Sequence, residues 1–127
     1  MRDDIVSEKF IDCFDDEYVA GDFPLISAMC AKNDYSGCDM LRLVTGEGVV
    51  AVAVVDPGEE AAKLCAFESR GDSRGKGYGR ELLLYILERY GHVAANVLRE
   101  ALGFYEKCGF KVVSDNGGPV VSVESTR

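Results

Sequence analysis

Three glycines at alternate positions, Gly75, Gly77 and Gly79, constrain this chain more than any other feature. They separate a segment rich in valine and leucine from a segment with helical periodicity, so they mark a turn that leads into a helix. Such a turn exposes successive backbone N–H groups, and the helix start adds unpaired donors and a partial positive charge. The loop from Arg74 to Gly79 therefore predicts a site for an anion such as a pyrophosphate. A strand-to-helix turn without a ligand also explains these glycines.

Two common phosphate-binding motifs do not fit this spacing. A Walker loop needs glycine, four residues and then Gly-Lys-Ser/Thr, but Gly77 follows Lys76 and position 70 is arginine. The dinucleotide-binding fingerprint needs glycine or alanine at position 80, which is arginine as well. ATPase and Rossmann-type interpretations are therefore set aside.

The charge of the chain is unevenly distributed. The net charge is −8, and the first 22 residues contain eight acidic residues against two basic ones. Residues 70–80 have the opposite sign, with four basic residues against one acidic residue, which suits a small anion. The isoelectric point of about 4.6 and the lack of a broad basic face argue against a nucleic-acid partner.

Hydrophobic periodicity predicts one domain over residues 1–127. The first third is predicted to be helical, from Ser7 to Tyr18 and from Pro24 to about Lys32, with no strand before Ser7. An antiparallel meander follows, and a helix runs from Gly79 to Tyr90. The strands of the meander are predicted at residues 40–45, 49–55 and 62–67.

A second motif lies downstream of the glycine loop. Residues 101–110 run Ala-Leu-Gly-Phe-Tyr-Glu-Lys-Cys-Gly-Phe. A helix that ends in a glycine cap would explain this segment, but it would not explain the glycine loop. Together with Arg74, Gly77 and Gly79, this segment resembles the ordered motifs of the GNAT superfamily of acetyltransferases. Those motifs are Arg/Gln-x-x-Gly-x-Gly/Ala and Ala-x-x-x-Tyr-x-x-x-Gly-Phe. The resemblance covers about residues 39–124.

The resemblance implies an α/β (α+β) fold with a mixed, mostly antiparallel sheet flanked by helices on both sides. A strand over residues 93–97 would run parallel to the strand ending near Phe67, and the two would splay apart around the cofactor. Residues 111–113 and 120–123 would form a terminal hairpin. Residues 1–36 would then be a helical region on the acceptor side, and residues 39–124 the cofactor-binding core.

The resemblance also implies a site for acetyl-CoA and no metal ion. The residues it assigns to the cofactor are Phe67, Ser69, Arg74, Gly75, Lys76, Gly77, Tyr78, Gly79 and Arg80. Tyr105 matches the tyrosine that reprotonates the departing thiolate, with a purely structural core tyrosine as the alternative. Glu68 is the candidate base that deprotonates the amine. Glu60 is the alternative base, and a solvent-facing carboxylate on the strand is the alternative role for Glu68.

Three departures from the family pattern bear on the site. Ser69, Arg70 and Gly71 stand where many members have Val-x-Pro. Leu98 replaces a frequent asparagine, and whether Asn96 takes over its hydrogen bond is open at this point. Without a first strand, the acceptor site is either open or completed by a second subunit in a homodimer.

The implied activity is transfer of the acetyl group of acetyl-CoA directly to a primary amine. Four acidic residues of the N-terminal region, if they flank the acceptor groove, favour a cationic small molecule or peptide. These are Asp12, Asp15, Asp16 and Glu17, for which a merely solubilising helix face is the alternative. The alternative function is a sensor domain that binds acetyl-CoA without transferring its acetyl group.

The remaining features predict a cytoplasmic protein. No apolar stretch reaches the roughly 20 residues that span a membrane, so no membrane association is expected, and the acidic N-terminus differs from a signal peptide. The five cysteines are an odd number without a CxxC pair, which argues against a disulfide framework or a zinc site. His92 follows a predicted helix end, where a role at the surface is favoured over a Cys-His nucleophilic pair.

Overall fold

A mixed sheet of seven strands organises the chain. The structure is a computed structural model that describes residues 4–9, 23–33, 35–71 and 75–125, the first of these ranges as backbone alone. The strands are β1 (Asp4–Lys9), β2 (Asp39–Thr45), β3 (Gly48–Asp56), β4 (Ala62–Ser69), β5 (Val93–Leu98), β6 (Lys111–Ser114) and β7 (Val120–Ser125). The helices are α1 (Pro24–Lys32), α2 (Tyr78–Tyr90) and α3 (Leu102–Lys107), and a 3-10 turn at Arg99–Ala101 precedes α3.

The sheet has one parallel junction among its described strands. The strand order is β1-β2-β3-β4-β5-β7-β6, and every neighbouring pair is antiparallel except β4 and β5. These two strands are paired from Ala62 opposite Val93 to Leu64 opposite Ala95, and they diverge beyond that point. The predicted mixed sheet, its antiparallel meander and the splay between these strands are confirmed.

Helices cover both faces of the sheet, as predicted. On one face, α2 buries Leu82 and Ile86 against the sheet. On the other face, α1 buries Ile26 against Met40 and Val54. The central strand β3 is buried on both faces, which explains its nearly continuous run of valine and alanine. The two hydrophobic cores hold the diverging strands between them.

The prediction for the N-terminus was wrong where it can be compared. The backbone of Asp4–Lys9 forms β1, which pairs antiparallel with β2, so a strand does precede the predicted helix and replaces its first residues. The apolar residues Phe10, Ile11 and Phe14 favour a helical period, but this period does not extend to residues 7–9, which belong to β1. An edge strand rich in charged residues carries a weak signal, because pairing with its neighbour determines it. The rest of the predicted helix, residues 10–18, lies outside the described residues.

Candidate active site

A β-bulge opens the sheet at the junction of β4 and β5. In the pairing of β3 with β4, Val54 lies opposite Ala66 and Val55 lies opposite Leu64, so Cys65 is an extra residue. A bulge bends its strand and increases its twist. The pairing with β5 ends at Leu64, immediately before the bulge. The bend therefore starts where the two strands separate, and the separation leaves a V-shaped gap.

The bulge also reverses the faces of the residues that follow it. Leu64 packs in the core below α2, whereas Ala66 packs in the core below α1. In a regular strand these two residues would share one face. Glu68 consequently points towards α1, and Phe67 packs against the core below α2.

A cavity of about 560 Å³ lies over the splayed end of β4 and the start of α2. It brings together residues that are far apart in sequence and includes both predicted catalytic residues. Its lining residues from the cofactor prediction are Phe67, Ser69, Gly75, Gly77, Tyr78, Gly79 and Arg80. Leu25, Ala101 and Phe104 also line it, although the resemblance did not assign them to the cofactor. Arg74 lies outside the described residues.

The glycines of the loop serve two different purposes. Gly75 and Gly77 have φ values of +88° and +83°, and a Cβ atom built on either would meet no atom of the described residues within 4 Å, its chain neighbours apart. Their surroundings are therefore open, which suits a phosphate lying against the backbone. At Gly79, by contrast, a Cβ atom would lie 2.6 Å from the Ser69 hydroxyl oxygen. Glycine at this position lets α2 begin close to β4.

The predicted cofactor residue Lys76 lies outside the cavity lining and is held by the β2–β3 turn. Its Nζ donates to Glu47 Oε1 at 3.1 Å, and the Tyr78 hydroxyl donates to Glu47 Oε2 at the same distance. The Arg70 guanidinium donates to the Glu47 backbone carbonyl at 2.9 Å. The bonds from Lys76 and Tyr78 lower the pKa of the Glu47 carboxyl. Glu47 was not predicted, because 29 residues separate it from Lys76 and no motif contains it.

Tyr105 lies among aromatic rings where the two motifs meet. Its ring centroid lies 5.3 Å from that of Phe104 and 5.5 Å from that of Phe110, and the ring planes are nearly perpendicular in both pairs, at 82° and 90°. Its hydroxyl forms no hydrogen bond within the part of the chain that the structure describes, and the residue lines the cavity. Burial, with a smaller contribution from Cys108, raises the pKa of Tyr105 to about 12. The phenol is therefore protonated throughout the neutral range.

Glu68 is buried, so the solvent-facing alternative was wrong. Its Oε1 accepts a hydrogen bond from the Ile26 backbone N–H at 2.9 Å, and its Oε2 accepts one from the Leu25 N–H at 3.3 Å. The carboxylate thus lies at the N-terminus of α1, where a negative charge is stabilised. The alternative base, Glu60, is exposed in the β3–β4 connection and lines neither cavity of this site.

A second cavity, of about 320 Å³, continues from the first on the α1 side of the gap. The two share Leu25, Phe67, Ala101 and Tyr105. The rest of the smaller cavity is lined by Met29, Leu64, Cys65, Ala66, Ala95, Asn96, Val97, Leu98 and Val120.

Other residues considered as candidates lie apart from the glycine loop. Asn96 lines the smaller cavity, and its Oδ1 accepts a hydrogen bond from the Ser122 hydroxyl at 2.8 Å. His92 Nε2 lies 2.5 Å from Glu124 Oε1, and His92 lines neither cavity. No group of three or more His, Cys, Asp or Glu side chains in the described ranges is arranged to hold a metal ion. None of the described helices is long and apolar enough to cross a membrane.

Comparison with known proteins decides the family. The family model described as acetyltransferase (GNAT) domain matches residues 36–112, which is more than half of the chain. The chain is a GNAT-family acetyltransferase. As a member of this family it is an acyltransferase with acetyl-CoA as donor substrate. The predicted activity and the predicted co-substrate are therefore both confirmed. The open glycine loop at the start of α2 fits the phosphates of that donor.

Solved GNAT structures share the fold of this acetyltransferase. The ribosomal-protein-S18-alanine N-acetyltransferase of Escherichia coli superposes with a TM-score of 0.75 at 17% identity, covering 98% of this chain and 94% of that one. A Bacillus subtilis acetyltransferase in complex with CoA gives 0.68 at 15% identity, covering 99% and 98%. A GNAT acetyltransferase of Elizabethkingia anophelis with acetyl-CoA bound gives 0.67 at 13%, covering 97% and 98%. No curated protein matches the chain in sequence.

Proposed function

We propose that this acetyltransferase transfers the acetyl group of acetyl-CoA directly to a primary amine. The observation that carries the proposal is the 560 Å³ cavity, which unites the glycine loop, the end of β4 and Tyr105. In the reaction, the amine nitrogen forms a bond to the acetyl carbon, the carbon–sulfur bond breaks, and the proton of the amine leaves to solvent or a base. No covalent intermediate on the protein is needed.

The cavity residues divide into three roles in this proposal. Backbone N–H groups of Gly75–Gly79, with Arg80, bind the phosphates. The exposed edge of β4 from Phe67 to Ser69 pairs with the pantetheine arm, since β5 has left that edge free. The Tyr105 hydroxyl donates to the departing sulfur.

The raised pKa of Tyr105 defines how it contributes. A phenol with a pKa of about 12 is a hydrogen-bond donor at neutral pH and not a base. A free thiol has a pKa of about 8.5, so complete proton transfer from this phenol to the thiolate is uphill. We therefore expect the barrier to be lowered by the hydrogen bond that forms as charge develops on sulfur.

One observation favours a second candidate function, a sensor that binds acetyl-CoA without transfer. Both oxygens of Glu68 accept hydrogen bonds from α1, and no other carboxylate lines the cavities in the described part of the chain. The base role of Glu68 stays a prediction. The cationic acceptor also stays a prediction, because Asp12, Asp15, Asp16 and Glu17 lie outside the described residues.

Thermal denaturation and CoA release together test the proposal. Acetyl-CoA is expected to raise the Tm of the wild type by mass action, and Gly77→Val is expected to abolish the shift. The valine would occupy the open space at a positive φ and so block the phosphate. Gly117→Val is the matched control, since Gly117 also has a positive φ with open surroundings but lies outside both cavities. A Tm shift without CoA release from any primary amine would favour the sensor.

A further inference from the structure

The two cavities adjoin at the gap between β4 and β5, where they share four lining residues. The glycine loop lies at the far end of the larger cavity, and the smaller cavity extends below α1 to Met29 and Val120. Phe67 and Tyr105 stand where the cavities join. An acceptor that meets the thioester at Tyr105 can therefore place its substituent in the smaller cavity without crossing the cofactor.

Within the part of the chain that the structure describes, the smaller cavity offers a cation no counter-charge. Its lining includes no Asp, Glu, Lys, Arg or His in the described chain, and its polar side chains are Cys65, Asn96 and Tyr105. Burial raises the pKa of Cys65, so its thiol and the Tyr105 phenol are both neutral near pH 7. The Asn96 carbonyl oxygen already accepts the Ser122 hydroxyl. Moving an ammonium group into such surroundings is costly, because desolvation disfavours the charged form.

Among the described residues, the linings of the two cavities contain no carboxylate that is free of hydrogen bonds and could deprotonate an ammonium. Glu68 is the one carboxylate that lines the larger cavity in the described chain, and both of its oxygens hold α1. An alkyl amine with a pKa of about 10.4 is only about 0.1% neutral at pH 7.5. An α-amino group with a pKa of about 8 is roughly one quarter neutral at that pH.

We infer that the acceptor is an amine of low basicity that enters uncharged and carries an apolar substituent, which fills the cavity below α1. The inference rests on the proposed function and specifies its substrate class, and it departs from the cationic acceptor that the acidic N-terminal residues favour. A volume of about 320 Å³ is far above the roughly 10–15 Å³ that one water molecule needs, which leaves room for an aliphatic or aromatic side chain. The N-terminal amine of a peptide and a small aromatic amine share this chemistry.

Matched acceptors test the inference in a CoA-release assay at pH 7.5. The N-terminal amine of the peptide Leu-Gly-Gly is compared with Asp-Gly-Gly, with the ε-amine of Nα-acetyl-lysine amide and with spermidine. We expect kcat/KM for Leu-Gly-Gly to exceed that for the lysine derivative by on the order of 10²-fold, following the neutral fractions. We also expect it to exceed the value for Asp-Gly-Gly. p-Toluidine represents the small aromatic amines. Whichever of p-toluidine and Leu-Gly-Gly has the larger kcat/KM shows whether the acceptor is an aromatic amine or the N-terminal amine of a peptide.

The pH profile separates an amine that enters neutral from an ammonium deprotonated by the enzyme. For a neutral acceptor, kcat/KM rises with pH and levels off above the pKa of that acceptor. A decline above the acceptor pKa would overturn the inference. An equal or larger kcat/KM for the lysine derivative or spermidine would also overturn it while leaving acetyl transfer intact. If acetyl-CoA raises the Tm but no amine releases CoA, the proposed function itself fails.

A charge placed in the smaller cavity gives an independent test. Val120 lines the cavity and Val113 does not, yet both are exposed valines of the terminal hairpin, at 45% and 54%. Val120→Asp should lower kcat/KM for Leu-Gly-Gly at least tenfold relative to the lysine derivative, and Val113→Asp should leave the ratio unchanged. An unchanged ratio in both variants, each still stabilised by acetyl-CoA, would contradict the inference.

Discussion

At the scale of single residues, Tyr105 and Tyr90 show how the same side chain serves different purposes. The hydroxyl of Tyr90 donates to Asp39 Oδ2 at 2.7 Å, away from both cavities. Tyr105 lines both cavities, and its hydroxyl forms no hydrogen bond with any described residue. A buried phenol ordinarily finds a partner. We propose that the partner of Tyr105 is the sulfur of the donor substrate.

Replacing Tyr105 by phenylalanine separates these purposes. Tyr105→Phe keeps the ring contacts with Phe104 and Phe110, so we expect the Tm shift with acetyl-CoA to persist. Turnover is expected to fall about 10²-fold, because the donor to sulfur is lost. Tyr90→Phe is the control, in which stability falls and turnover per folded molecule does not. Unchanged turnover in Tyr105→Phe would make this tyrosine a core residue alone.

Glu68 has two possible roles, as the base that deprotonates the amine and as the hydrogen-bond acceptor at the start of α1. Glu68→Ala leaves the N–H groups of Leu25 and Ile26 without acceptors, so we expect unfolding to become easier by about 1–3 kcal/mol. Glu68→Gln retains one acceptor oxygen and should be the milder variant. Since α1 residues line the smaller cavity, where we propose that the acceptor binds, KM for the amine should rise more than kcat falls. If Glu68→Gln matches the wild type in urea denaturation but loses about 10²-fold in kcat, Glu68 is a base.

At the scale of elements, the bulge at Cys65 determines what β4 contributes. Because it reverses the alternation of faces, Phe67 lies on the cofactor side and Glu68 on the α1 side. Strand β4 also continues two residues past the predicted end at Phe67, to Ser69. A bulge has no reliable sequence signal when no glycine marks it, and Cys65 gives none. The direction of the Glu68 side chain was therefore beyond sequence reasoning, although its position beside the cavity was not.

At the scale of the whole molecule, the sequence predicted the cofactor side far better than the acceptor side. The alternate glycines and the Ala101–Phe110 segment have fixed local spacing, so local pattern located the loop and α2, and the resemblance carried by these motifs implied the splay. The acceptor side depends on packing across the sheet. Leu25 and Val120 meet in one cavity although 95 positions separate them. No local sequence pattern predicts that two such distant residues lie together, and none predicts the contact between Glu47 and Lys76.

Because Tyr105 is buried and Tyr90 is partly buried, the free energy of unfolding of the protein should fall at alkaline pH. The pKa of Tyr105 is raised to about 12, and burial and Asp39 raise that of Tyr90 as well. Below pH 10 both tyrosines stay protonated in the folded and the unfolded chain, so the stability that the protonated tyrosines contribute is fully present. Between pH 10 and 12 the unfolded chain ionises first, and stability falls as pH rises.

Urea denaturation at pH 8, 10 and 11 measures this dependence. For Tyr105, a pKa of about 12 in the folded chain against about 10 in the unfolded chain corresponds to about 2–3 kcal/mol of stability, all of it lost once the pH exceeds about 12. Tyr105→Phe should accordingly lose less stability between pH 8 and 11 than the wild type. Equal losses in the two proteins would show that Tyr105 ionises as freely in the folded chain as in the unfolded one.

The contact of Glu47 with Lys76 and Tyr78 has a consequence for which anions the loop accepts. A carboxylate tethered by its own chain competes at an effective concentration in the millimolar range. A monovalent anion gains little by displacing it, since it replaces one negative charge by another. A pyrophosphate brings several charged oxygens and reaches the N–H groups of Gly77 and Gly79 at the same time. We therefore expect the β2–β3 turn to weaken the binding of monovalent anions to the Lys76 and Tyr78 side chains more than the binding of multivalent anions.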